Sequence, residues 1–125
     1  MPLDSINDGA LVGALRRQMT IAAAKQVAAA GNLANADTPS YKAIEPTFAE
    51  TLEQFSTETT LAAGGPSVRV SMQEVEGLPA KRDGNTVQID RELLTMGRAG
   101  GDFSAAQTAL AAKFRLVRYA INEGR

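Results

Sequence analysis

At 125 residues the chain holds one domain at most, by the usual ~100–200 residues per domain. It has no cysteine and no histidine, which excludes a disulfide framework, a Cys/His zinc site, and Cys–His or Ser–His nucleophilic catalysis. A formal net charge of −1 gives no basic excess for nucleic acid, and four Phe and two Tyr without Trp leave a thin core built largely on alanine.

Asp4 and Asp8 stand where a secretory leader would be basic, so the N-terminus is not expected to be a signal peptide. No run approaches the ~18 apolar residues of a membrane span. Residues 8–36 then read as one helix, capped by Asn7 or Asp8. Val12, Leu15, Met19, Ala22, Gln26, Ala29 and Leu33 alternate at spacings of three and four, a seven-residue repeat.

The helix is expected to stop within Asn32-Leu33-Ala34-Asn35-Ala36-Asp37-Thr38-Pro39-Ser40-Tyr41-Lys42. Asn35 and Asp37 tolerate left-handed conformations, and Pro39 cannot continue the ladder. Asn35 is expected to satisfy backbone groups at the helix end, and Pro39 to set the exit direction. Tyr41 is expected to rest on apolar surface with its hydroxyl near solvent or a polar partner. The bland reading is an ordinary helix-to-loop junction.

Thr47-Phe48-Ala49-Glu50 has the form of a capping box, which puts Phe48, Leu52 and Phe55 on one face of a short helix. Residues 56–67 are polar, include Gly64-Gly65-Pro66, and are expected to be mobile. Val68, Val70 and Met72 alternate with polar residues as in a short strand, and Val87 and Ile89 could pair with it.

Residues 90–122 read as a second helix, capped by Asp90. Phe103, Gln107, Leu110, Phe114, Val117 and Ile121 form its seam. Gly97-Arg98-Ala99-Gly100-Gly101 is expected to bend or break it. An antiparallel pairing would set Leu33 near Phe103, Gln26 near Leu110, Ala22 near Phe114, Met19 near Val117 and Leu15 near Ile121; a slip by one heptad would set Met19 near Leu110. Outside the pair, Ile21 and Leu116 would seek a neighbour.

Charge is uneven. Residues 36–90 carry four basic and nine acidic side chains, residues 91–125 six basic and three acidic. Glu45, Glu50 and Glu53, and Glu74 with Glu76, are the only carboxylate clusters, and a solvated surface explains them better than acid–base work or a metal. The glycines at 97–101 do not form a phosphate loop, since no Lys-Ser/Thr follows them. The chain is therefore not expected to be an enzyme, to bind a cofactor or metal, or to take a small-molecule substrate or nucleic acid.

Two segments carry a resemblance. Asn32, Ala34, Asn35, Thr38, Pro39, Tyr41 and Lys42 match the N-terminal signature of the flagellar rod, hook and axial proteins, with Ser40 where that family most often has Gly. Asp83-Gly84-Asn85-Thr86-Val87-Gln88-Ile89-Asp90-Arg91-Glu92 resembles the box before the C-terminal helix of proximal rod members, with Phe103 where the family often has Tyr. The resemblance covers roughly residues 8–45 and 83–122.

It implies a structural rod subunit of the bacterial flagellar basal body, exported by the flagellar type III apparatus and assembled in the periplasm. The partners it implies are self-copies, the rod proteins FlgC and FlgF, FliE, and the membrane ring protein FliF. A rod protein of the FlgC type, which shares the first motif, is the rival within the family. A soluble helical adaptor or chaperone is the rival of another class, and a DNA-binding coiled coil is a distant third.

The fold expected is all-α and elongated, with the terminal helices paired as an antiparallel coiled coil. Residues 1–42, the first helix and motif loop, would form one helical domain with 86–125. Residues 43–85 would be an irregular middle holding at most a short helix and a short β-hairpin. The assembly residues expected are Leu15, Met19, Ala22, Gln26, Leu33, Asn35, Thr38, Pro39, Tyr41, Phe103, Leu110, Phe114, Val117 and Ile121.

Overall fold

The computed structural model describes residues 2–50 and 68–123. Along the chain come helix α1 (Pro2–Ala34), strand β1 (Ile44–Glu50), strand β2 (Val68–Glu74) and helix α2 (Ile89–Glu123). The strands form a two-stranded antiparallel sheet. The architecture is therefore a helix pair joined to a sheet, a mixed α and β arrangement that corrects the all-α expectation.

The correction begins at residues 44–50. Ile44, Pro46 and Phe48 lie opposite Glu74, Met72 and Val70, so they share one face of the sheet with the apolar residues of β2. The period there is two. The capping-box reading of Thr47–Glu50 imposed a period of 3.6 and is wrong for those residues; Leu52, Phe55 and the Gly64-Gly65-Pro66 stretch lie outside the described residues. Pro46 also argues against a helix interior, and it occupies an edge position that tolerates its missing N–H. Val68–Glu74 pairs with β1, not with Val87 and Ile89.

Helix α2 runs unbroken through Gly97, Gly100 and Gly101. Small residues let the helices approach. The buried positions of α1 are Ala22, Ala28, Ala29 and Asn32, and those of α2 are Glu92, Ala99 and Ala106. A Cβ at Gly100 would lie 3.0 Å from Nε2 of Gln26. The end of α1 lies beside the start of α2, so the pair runs antiparallel.

Gln26 thus sits beside Gly100, not Leu110, which a rise of ~1.5 Å per residue carries about 15 Å further on. The register departs from the expected one in the direction of the heptad slip. Its cause is at the end of the pair, where hydrogen bonds from residue 85 fasten Asn35 and Thr38 close to the start of α2.

The first turn of α2 also differs from expectation. The amide of Glu92 donates to the carbonyl of Gln88 at 3.0 Å, so Gln88 is the N-cap and Asp90 lies two residues further on, within the first turn. Asp90 still favours this end, through its charge near the positive pole of the helix.

Candidate functional site

The two segments that carry the resemblance are about forty residues apart in sequence and form one polar clasp in space. Helix α1 ends at Ala34, ahead of Pro39. The Asn35 amide meets the carbonyls of Gly31 and Asn32 at 3.2 and 3.1 Å, and its side-chain Nδ2 donates to Gly31 O at 2.8 Å. Thr38 Oγ1 then donates to Asn35 Oδ1 at 3.1 Å. The stop is made by these bonds, four residues ahead of Pro39.

The second segment closes on this turn from outside. Asn85 Nδ2 donates to the carbonyls of Asn35 and Thr38, both at 2.8 Å. Its Oδ1 accepts from the Val87 amide at 2.8 Å. Ser40 N donates to Asp83 O at 2.8 Å, Thr86 N to Tyr41 O at 3.0 Å, and Ala43 N to Thr86 Oγ1 at 2.9 Å. Lys42 Nζ reaches Gly84 O at 3.0 Å. Asn85, Thr86, Val87 and Ala43 are buried, so the bonds they make face little competition from water, whereas Ser40, Lys42 and Asp83 are exposed.

Asn32 fastens the sheet to the helix. Its Nδ2 donates to Ile44 O at 2.8 Å and its Oδ1 accepts from Ile44 N at 3.0 Å, as a neighbouring strand residue would. The same oxygen accepts from the Tyr41 hydroxyl at 3.2 Å. Asn32 is fully buried, and among the described residues no buried side-chain nitrogen or oxygen lacks a partner.

Two backbone positions are specialised. Gly84 has φ +84°, and a Cβ there would lie 3.4 Å from Cα and Oγ of Ser40. Ser40 itself has φ +62°, the left-handed region that favours glycine. The turn therefore needs positive φ where this chain carries serine.

A cavity of about 290 Å³ lies between α1, β1 and α2, lined by Lys25, Ala29, Glu45, Arg91, Glu92 and Arg98 among others. Arg91 lies 3.4 Å from Glu45 and 3.5 Å from the buried Glu92. Its wall carries both cations and carboxylates. Thr95, the hydroxyl on its wall, donates to Arg91 O at 3.0 Å. Among the described residues no group of three or more acidic side chains is placed to hold a metal.

No protein-family model matches the chain, and a search of curated proteins finds no match.

The expected site residues divide into three groups. Asn35, Thr38, Pro39 and Tyr41 belong to the clasp, with Thr38 and Pro39 exposed. Ala22 is buried and Leu15, Met19, Gln26, Leu33, Phe103 and Leu110 are half-buried. Phe114, Val117 and Ile121 are exposed, at 57%, 42% and 66%, so the seam drawn through them is not closed within the chain. On α2 the covered line runs through Glu92, Ala99, Phe103, Ala106, Leu110 and Lys113. Sequence reasoning missed Asn32 as a strand mimic and Asn85 and Thr86 as its counterparts. All three stand in the quoted motifs, and the available signal was that three small polar residues recur beside helix ends. Nothing in the sequence marked Glu92 for burial.

Proposed function

We propose that the chain is a structural subunit of the proximal rod of the bacterial flagellar basal body, of the FlgB type. The observation that carries this reading is the clasp: the two segments that resemble rod proteins hold each other through Asn85, Thr86 and Asn32. A signature kept for such a role joins the end of one terminal helix to the start of the other and gives both helices one fixed register. The exposed apolar residues Phe114, Val117 and Ile121 then supply surface for neighbouring subunits. The neighbours would be self-copies, FlgC, FlgF, FliE and FliF, reached after type III export to the periplasm. The chain has no catalytic part in this account and transmits torque as part of a tube wall. The FlgC type is the nearest alternative.

The test is deletion of the gene followed by complementation. Loss of swimming with rods that stop at the membrane ring, restored by the wild-type chain, supports the reading. Normal rods in the deletion strain overturn it.

The same exposed apolar stripe favours a second reading, an adaptor or chaperone that covers a partner's helix. Stoichiometric binding of an unrelated helix without polymer formation would select it. Concentration-dependent gain of helix with the chain's own kind would select the rod subunit.

A further inference from the structure

Among the described residues the sheet has two strands, so each strand has one edge with no described strand against it. Their backbone phase tells the two edges apart. The Val75 amide donates to Ala43 O at 2.9 Å, and with the pairing register this sets residues 45, 47 and 49 to bond inward with 73, 71 and 69. The N–H and C=O groups of 44, 46 and 48, and of 68, 70, 72 and 74, therefore point away from the partner strand.

The β1 edge is closed to another strand. Both outward groups of Ile44 are taken by Asn32, and Pro46 has no N–H to give. Among the described residues nothing comparable protects the β2 edge. Val68, Val70, Met72 and Glu74 each present a donor and an acceptor, and among the described residues no hydrogen bond reaches those of Val70 or Met72. Its solvent exposure fits this, since positions 71–74 are all exposed.

The row of groups on β2 is complementary to itself. An antiparallel copy centred on Ser71 sets Val68 against the partner's Glu74, Val70 against the partner's Met72, and Ser71 against the partner's Ser71. In that phase every outward N–H meets an outward C=O. Val70 and Met72 meet on the face that Ile44, Pro46 and Phe48 already make apolar, and Arg69 meets Gln73, so no like charges face each other.

We propose that the soluble chain pairs with a second copy through β2, giving a four-stranded antiparallel sheet in the order β1-β2-β2-β1. The pairing goes beyond the rod reading and does not rest on it. A twofold contact of this kind closes on itself and cannot propagate into a tube, so it describes the chain before assembly. Growth of a polymer would require the pair to separate.

The full-length chain in sedimentation equilibrium should give a dimer at high micromolar concentration. Met72→Pro removes one outward donor and no inward ladder bond, so it should yield a monomer with unchanged helicity. The cysteine-free background permits a second measurement that does not depend on that variant folding. The two Ser71 positions form a non-hydrogen-bonded pair, with Cα atoms ~4.5 Å apart, within disulfide reach. Ser71→Cys should therefore oxidise to a covalent dimer much faster than Gln73→Cys, whose copies lie several residues apart. A wild-type chain that stays monomeric overturns the proposal. So does a dimer that survives a folded Met72→Pro, and so does equal oxidation of the two cysteine variants.

Discussion

Asn85 holds the end of the first helix from fifty residues away, its Nδ2 donating to the Asn35 carbonyl at 2.8 Å. A second bond from the same nitrogen reaches Thr38 O, and the side-chain oxygen accepts from Val87 N. One carboxamide thus satisfies three backbone groups, in a residue with no solvent exposure.

Asn85→Ala should therefore destabilise the chain by roughly 3 kcal/mol, since each buried group left unsatisfied costs about 1–3 kcal/mol. Urea unfolding followed by circular dichroism measures it. Asn85→Asp should be at least as damaging, because it replaces two donors by a carboxylate facing two carbonyl oxygens. A loss below about 0.5 kcal/mol, the scale of an ordinary surface change, would show that the clasp is not formed in solution.

Ser40 and Gly84 face each other at positive φ and should respond oppositely to exchange. Ser40→Gly should stabilise by ~0.5–1 kcal/mol, the relief of the left-handed strain less the entropy of glycine. Gly84→Ala should destabilise by ~1–2 kcal/mol, because it adds the same strain and presses a methyl group toward Ser40. Paired urea titrations check the two signs together.

The sequence made the helices legible and left their register and the sheet obscure. Ala22, Ala28, Ala29, Ala99 and Ala106 occupy the covered surfaces, and alanine carries too little apolar signal for periodicity to place it. Larger residues such as Phe114 and Ile121 dominated the pattern, yet they lie on surface that the chain does not cover itself. The strand at 44–50 was masked by the Thr47…Glu50 box, although Pro46 already argued against helix. The clasp was half legible. Both motifs stood out as wording, but their complementarity is a property of two distant segments, and no local rule reads it.

Gly101→Ala should raise monomer stability by ~1 kcal/mol, the helix-propensity difference between the two residues. The reason is geometric: α2 is continuous there, and a Cβ at this position meets nothing within 4 Å. Thermal unfolding checks it. A destabilisation would mean that the helix breaks at these glycines in solution.

Val117→Asp should leave monomer stability within about 0.5 kcal/mol, as for other surface changes, because the side chain is 42% exposed. In the rod account it should nonetheless abolish swimming while the protein still reaches the periplasm, since an unpaired carboxylate in a subunit contact costs several kcal/mol. Motility plates and periplasmic fractionation read the two effects separately.

We propose that the paired signature segments fix the terminal helices for assembly in the proximal rod. An electron-microscopy map of basal bodies from the strain that makes this chain tests it most directly. The account predicts this subunit next to the membrane ring, with Asn85 bonded to Asn35 and Thr38 of its own chain and the Phe114–Ile121 face covered by a neighbour. A proximal rod built without this chain, or a subunit in which residues 32–43 and 83–87 lie apart, would contradict it.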